Sequence, residues 1–149
     1  PGVGDVAGPG AEPSVVAGPN EAIRIEPAEV GVVTVSDASG AYDVNLDQGL
    51  VIESIDDAPM NRAAVDAWLA RFAPLDGETT FEGVDPAEVE RDYTSLLTFL
   101  FSDGSARDVW IQQRDDGLAV LTQSGGRVFR LPVGRYRDLV PEVGALRAR

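Results

Sequence analysis

The stretch Leu96 to Leu131, LLTFLFSDGSARDVWIQQRDDGLAVLTQSGGRVFRL, decides the fold. Leu96 to Phe101 is apolar at successive positions, which predicts a central strand buried on both sides. Ser102-Asp-Gly-Ser105 is a turn and leads into a second strand from Arg107 to Gln113. Asp116-Gly117 is a strong two-residue hairpin signal. Leu118 to Thr122 and Val128 to Leu131 are the next strands, joined through Ser124-Gly-Gly126. Four strands linked by short turns make an antiparallel meander.

Upstream of the meander, Asn61 to Ala73 reads as the clearest helix. Asn61 is a good N-cap, because its side-chain oxygen can accept from a free backbone N–H of the first turn. Val65, Trp68, Leu69 and Phe72 fall at i, i+3, i+4 and i+7, one buried stripe. Pro74 stops it. Trp68 in the middle of that stripe reads as core rather than as a ligand platform.

Earlier still, Ala22 to Glu26 and Val30 to Ser36 read as strands, the second rich in β-branched residues. After the turn Asp37-Ala-Ser-Gly40, Tyr42, Val44 and Leu46 alternate with Asp43, Asn45 and Asp47, the period-2 mark of a half-buried strand. Leu50 to Ser54 and Thr79 to Phe81 are further short strands. Asp85 to Arg91 is a short helical turn with Pro86 at its first position. Val133 to Val140 is a terminal helix ended by Pro141.

Strands and helices come in blocks, which predicts an α+β fold with antiparallel pairing rather than a doubly wound parallel sheet. The expected core includes Val65, Trp68, Leu69, Phe72, Leu97, Phe99, Val109, Val120 and Phe129. Residues 1–20, PGVGDVAGPGAEPSVVAGPN, read as a Pro/Gly-rich linker or extended arm, and 21–149 as a single α+β domain. Gly2, Gly4 and Gly8 miss the dinucleotide-binding spacing by one residue, and no strand precedes them. The chain opens at Pro1 without an initiator Met, which reads as a processed or truncated start. No stretch approaches the ~20 apolar residues of a membrane span.

The 149 residues contain no His and no Cys, and all 12 basic residues are Arg. That set excludes thiolate nucleophiles, imidazole bases, Schiff-base lysines and Cys/His zinc sites. No catalytic, cofactor-binding or metal-binding residue is assigned, and no cofactor is expected. Asp43-x-Asn45-x-Asp47 carries the first three ligand positions of a calcium loop. The frame then fails, since Gln48 stands where the turn Gly belongs and Glu53 falls one residue early. Asp56-Asp57, Asp115-Asp116 and Glu82 to Asp92 are the other acidic groupings, with Glu88 and Glu90 read as solvated. Ser105 lies in a turn and, without His, belongs to no triad.

The formal charge is −13. Residues 1–92 hold 19 acids and 4 Arg, while residues 93–149 hold 6 acids and 8 Arg, so the net −15 of the first part sits against +2 in the second. A generally acidic surface explains this; so does a dipolar domain whose Arg-bearing end faces a partner. The charge disfavours nucleic acid. Arg127, Arg130, Arg135, Arg137, Arg147 and Arg149 form no single stripe.

Pro59 to Phe72 (PMNRAAVDAWLARF), Leu96 to Gly104 and Arg127 to Pro132 (RVFRLP) together resemble the bacterial family called domain of unknown function 4340. The resemblance spans about 125 residues from Ile23 onward. It implies an extracytoplasmic (periplasmic or cell-envelope) domain near transport-type membrane complexes, tethered through residues upstream of Pro1 or through a partner. It carries over no catalytic residue. The chain has room for one unit where longer family members have more. The functional expectation is a non-catalytic protein-interaction domain, an accessory subunit of a membrane-associated assembly. The alternative is a carboxylate-dependent hydrolase or small-ligand carrier.

Overall fold

The structure, a computed structural model, describes residues 20–148. The expected arm therefore lies outside the described residues, apart from Asn20. The fold is α+β with antiparallel sheets and a C-terminal helix. Among the described residues there are eleven strands: β1 Glu21–Ile23, β2 Val30–Asp37, β3 Gly40–Asn45, β4 Leu50–Glu53, β5 Asp56–Pro59, β6 Leu75–Asp76, β7 Thr79–Thr80, β8 Ser95–Phe101, β9 Ala106–Arg114, β10 Gly117–Leu121 and β11 Val128–Leu131. The α-helices among the described residues are α1 Arg62–Ala70, α2 Pro86–Arg91, α3 Tyr136–Leu139 and α4 Val143–Leu146.

Nine strands form one sheet in the order β5-β4-β3-β2-β8-β9-β10-β11-β7, and β1 pairs with β6 beside it. The order is a palindrome of two meanders. The strands β2 to β5 run outward from β2, and β8 to β11 run outward from β8 in the opposite sense. The two meet where β2 pairs antiparallel with β8. Each meander is followed by helix packed into the same core, α1 after β5 and α3–α4 after β11. The first hairpin of each meander turns through the same device. Ser39 donates its N–H (2.8 Å) and Oγ (2.6 Å) to Asp37 Oδ1. Ser105 does the same to Asp103 Oδ1, at 2.9 and 2.6 Å. The strand order thus repeats about a pseudo-two-fold axis between β2 and β8.

The inner face of the sheet carries Val33, Val35, Tyr42, Val44, Val51, Leu97, Phe99, Val109, Ile111, Leu118 and Val120. Over it lie Val65, Trp68, Leu69 and Phe72, with Tyr136, Leu139, Val140 and Leu146 alongside. All nine expected core residues are buried. Asn61 caps α1, accepting from Ala64 N at 3.2 Å. The helix ends at Ala70, earlier than Ala73, and Phe72 is buried in the turn that follows.

Several expectations shift. The outer face of β8 is not buried throughout, since Leu100 is 43% exposed; the strand buried at every position is β10. There α2 supplies the cover, with Val89 and Phe81 packed on Ala119, Leu121 and Val128. The terminal helix is a 3-10 turn at Val133–Arg135 running into α3, and a further turn, α4, follows Pro141. Asp56-Asp57 is no free acidic grouping but the start of edge strand β5, whose register is set by Leu50–Glu53.

Candidate functional site

Alternation along the strands, combined with their register, places three rows of residues on the outer face. One row crosses Pro59, Leu50, Asn45, Val32, Leu100 and Ala106; the next crosses Asp57, Ile52, Asp43, Thr34, Thr98 and Asp108. The third runs Ala41, Ser36, Leu96, Trp110, Leu121 and Val128. The α2 cover reaches Trp110, Leu121 and Val128 and stops there. Across β5, β4, β3, β2 and β8 the outer face is open: Val32, Leu50, Ile52 and Leu96 are half-buried and Leu100 is exposed.

The middle row is held by two matched hydrogen bonds. Thr34 Oγ1 donates to Asp43 Oδ1 at 2.8 Å, and Thr98 Oγ1 donates to Asp108 Oδ1 at 2.7 Å. Because each Thr is β-branched and stiff at χ1, it fixes its neighbour's carboxylate to the sheet surface. One oxygen of each carboxylate is engaged, and the other keeps its capacity to accept.

The string Asp43-x-Asn45-x-Asp47 is strand followed by turn. Asn45 Oδ1 accepts from Gln48 N at 3.0 Å, so the segment closes on itself. Among the described residues no three His, Cys, Asp or Glu side chains come together as a metal-holding group. Asp115-Asp116 forms the β9–β10 turn, where the Asp116 carbonyl accepts from Arg130 Nε and Nη2 at 3.0 and 2.7 Å. The acids of α2 are partly exposed, as expected, and also bonded at the surface. Glu88 pairs with Arg114 at 3.0 Å, and Glu90 accepts from Ser124 Oγ and Gly125 N at 2.9 and 3.1 Å, fastening α2 to the loop before β11. Ser105 is spent on its turn.

The C-terminal Arg residues scatter, as their spacing predicts. Arg127 stacks over Phe129 and Arg130 over Phe81, at 4.4 and 5.8 Å from the ring centres. Arg135 pairs with Asp138 at 3.3 Å. Arg147 Nη2 donates to the Asp56 carbonyl at 3.2 Å, and Arg149 lies outside the described residues.

Three open recesses adjoin along the C-terminal segment, and all three are lined by Arg137 and Pro141. Their walls are hydrogen-bonded strapping. Tyr42 Oη donates to the Pro141 carbonyl at 2.6 Å, Trp68 Nε1 to the Leu139 carbonyl at 2.9 Å and Arg137 Nη1 to the Val140 carbonyl at 3.2 Å. Burial raises the Tyr42 hydroxyl above its ordinary ionisation range. Beneath it, Tyr136 Oη and Ser95 Oγ form a buried hydrogen bond. These groups hold the C-terminal segment on the core.

The open outer face was legible only in part. The alternation at Asp43 to Asp47 marks an outward polar side, but only the pairing of β2 with β8 brings Thr34 and Thr98 together. Comparison with family models, curated proteins and solved structures finds no match to this chain.

Proposed function

We propose that this chain is a non-catalytic, extracytoplasmic protein-interaction domain, working as an accessory subunit of a membrane-associated complex. The observation that supports this reading is the uneven cover of the sheet. Its inner face and the β10–β11 end of its outer face lie under helices, while on the rest of the outer face Val32, Leu50, Ile52, Leu96 and Leu100 stay in reach of solvent. On that face the aliphatic side chains alternate with Asp43, Asn45, Thr34 and Thr98, and mixed apolar and polar surface of this kind is typical of non-obligate protein interfaces. The catalytic inventory supports it too, since a chain without His, Cys or Lys is left with carboxylates, hydroxyls, Tyr and Arg. The resemblance carried by Pro59–Phe72 and Arg127–Pro132 supports the cell-envelope setting. No helix among the described residues is long and apolar enough to cross a membrane, so attachment in this reading runs through a partner or through residues beyond this sequence.

The test is native purification from envelope membranes in mild detergent. The protein is expected in a complex of fixed stoichiometry with defined partners. A lone monomer in every fraction would refute the reading.

A further inference from the structure

Resting on that reading, we propose that the open half of the outer face seats a basic amphipathic helix of a partner protein. Its aliphatic side chains lie on Val32, Leu50, Ile52 and Leu100, and its Arg or Lys groups meet Asp43, Asp57 and Asp108.

Three observations specify this occupant. The first is charge. On strands β2 to β5 and β8, and on the adjoining β9 positions Ala106 and Asp108, the outward register positions hold three ionisable residues, and all are Asp. No Arg stands among them. A cationic partner is attracted, while an anionic lipid surface or a nucleic acid is repelled. A second copy of the chain, face to face, would set Asp against Asp in a molecule already at −13.

The second is preorganisation. Thr34 and Thr98 already hold Asp43 and Asp108, both half-buried, in fixed positions on the sheet. A guanidinium arriving there meets oriented acceptors at the edge of apolar surface, where a charge-assisted hydrogen bond is stronger than in open water.

The third is continuity of the layer. The same face is covered by α2 over Ala119, Leu121 and Val128, ending at Trp110. Five strands spaced about 4.8 Å apart leave a strip about 20 Å wide, room for a helix of roughly 10–12 Å diameter beside α2. An antiparallel sheet can leave one face in water, and what a covering helix adds here is burial of the half-buried Val32, Leu50 and Ile52 and the exposed Leu100.

The probes are two short synthetic amphipathic helical peptides with the same Leu/Ala face, one with Arg and one with Glu on its polar side. Binding to the full chain is read by fluorescence anisotropy at physiological salt. The Arg peptide is expected to bind and the Glu peptide not. The pair Asp43→Asn and Asp108→Asn keeps the Thr hydrogen bonds but removes two charges, and is expected to weaken binding at least about tenfold. The control pair Asp66→Asn and Glu82→Gln removes the same charge from exposed positions outside the face, and is expected to change binding less than about twofold. Equal weakening by both pairs overturns the proposal, as does a failure of the Arg peptide to bind. A concentration-dependent dimer abolished by Leu100→Asp overturns it in favour of a second copy. If a native complex exists and survives Asp43→Asn with Asp108→Asn unchanged, this face is not the docking surface while the interaction reading stands. Absence of any native complex removes that reading by its own test.

Discussion

Thr34 and Thr98 stand opposite each other in the β2–β8 pair, and each turns its hydroxyl outward to an aspartate on its other neighbour, Asp43 or Asp108. Two residues 64 positions apart therefore occupy equivalent places in two halves of one sheet. The two halves also share an Asp-x-Ser turn and a following helical segment, although Asp37 comes three residues after Thr34 and Asp103 five after Thr98. The equivalence ends between the halves, where β6, β7 and α2 carry the chain from α1 to β8 and α2 covers one end of the outer face.

Trp68 is 3% exposed, makes an edge contact with Phe72 and donates to the Leu139 carbonyl. Trp68→Ala is expected to cost about 3–5 kcal/mol as a large-to-small core change. Trp68→Phe keeps most of the volume but orphans the buried carbonyl, at about 1–3 kcal/mol. Urea denaturation of both variants checks this, and a loss under about 0.5 kcal/mol for the alanine would contradict the packing described.

Tyr42 makes stability depend on alkaline pH. Burial raises its ionisation above the ordinary value of 10.0, so the folded chain keeps a proton that the unfolded chain gives up. Stability is expected to hold below pH 10 and to fall above it, by at most about 1.4 kcal/mol per pH unit. Tyr42→Phe should flatten that fall while costing about 1 kcal/mol at neutral pH through the lost bond to Pro141. Urea midpoints at neutral and alkaline pH read both effects.

The twin turns predict a matched acid titration. Side-chain donation from Ser39 holds the Asp37 carboxyl below its ordinary value, and Ser105 does the same for Asp103. Both carboxylates favour the folded turn above the usual carboxylate range, and that contribution is lost as pH falls through their lowered values. Ser39→Ala and Ser105→Ala should each raise the titration midpoint of the neighbouring Asp alone, as read by carboxyl-carbon NMR. An unmoved midpoint in either variant would show that the serine does not hold its carboxylate.

Ser54 sits at φ 59° in the turn between β4 and β5. Left-handed backbone costs a residue with Cβ about 1 kcal/mol, and glycine escapes that cost. Ser54→Gly is expected to stabilise the fold by at most about 0.6 kcal/mol, once the greater freedom of glycine when unfolded, about 0.4–1 kcal/mol, is subtracted. A lower melting temperature for the variant would contradict this.

The features legible in the sequence were those written locally. Asn61 with the Val65–Phe72 stripe gives α1, and Asp116-Gly117 gives the β9–β10 hairpin, because cap, period and turn each involve residues close in the chain. What was missed depends on distant neighbours. Asp56–Pro59 has poor strand composition and pairs because Leu50–Glu53 presents a ladder to it. The turn α4 follows a proline, yet forms where the chain end is tied back: Asn61 N donates to the Leu146 carbonyl and Ala148 N to the Pro59 carbonyl, both at 2.8 Å. The outer face showed its polarity at Asp43 but not its extent, which is set by how far α2 reaches. The repeat left one short trace, Ser36-Asp37-Ala-Ser39 against Ser102-Asp103-Gly-Ser105, too brief to stand out from ordinary turn chemistry.

The seam between β2 and β8 also governs how this chain reaches its native state. Every other neighbouring pair among β2 to β5 and β8 to β11 is a hairpin closed by a short loop, whereas the seam joins residues about sixty positions apart. Local hairpins form in microseconds, while a long-range closure must first bear the loss of chain entropy. Each meander is therefore free to assemble early, leaving the backbone edges of β2 and β8 exposed until they find each other. That interval is the point of greatest vulnerability, since an unpaired apolar strand edge is a template for any other chain. Docking of β2 on β8 is therefore expected to be the slow step of folding, and crowded refolding of this protein should fail first by aggregation through those two strands.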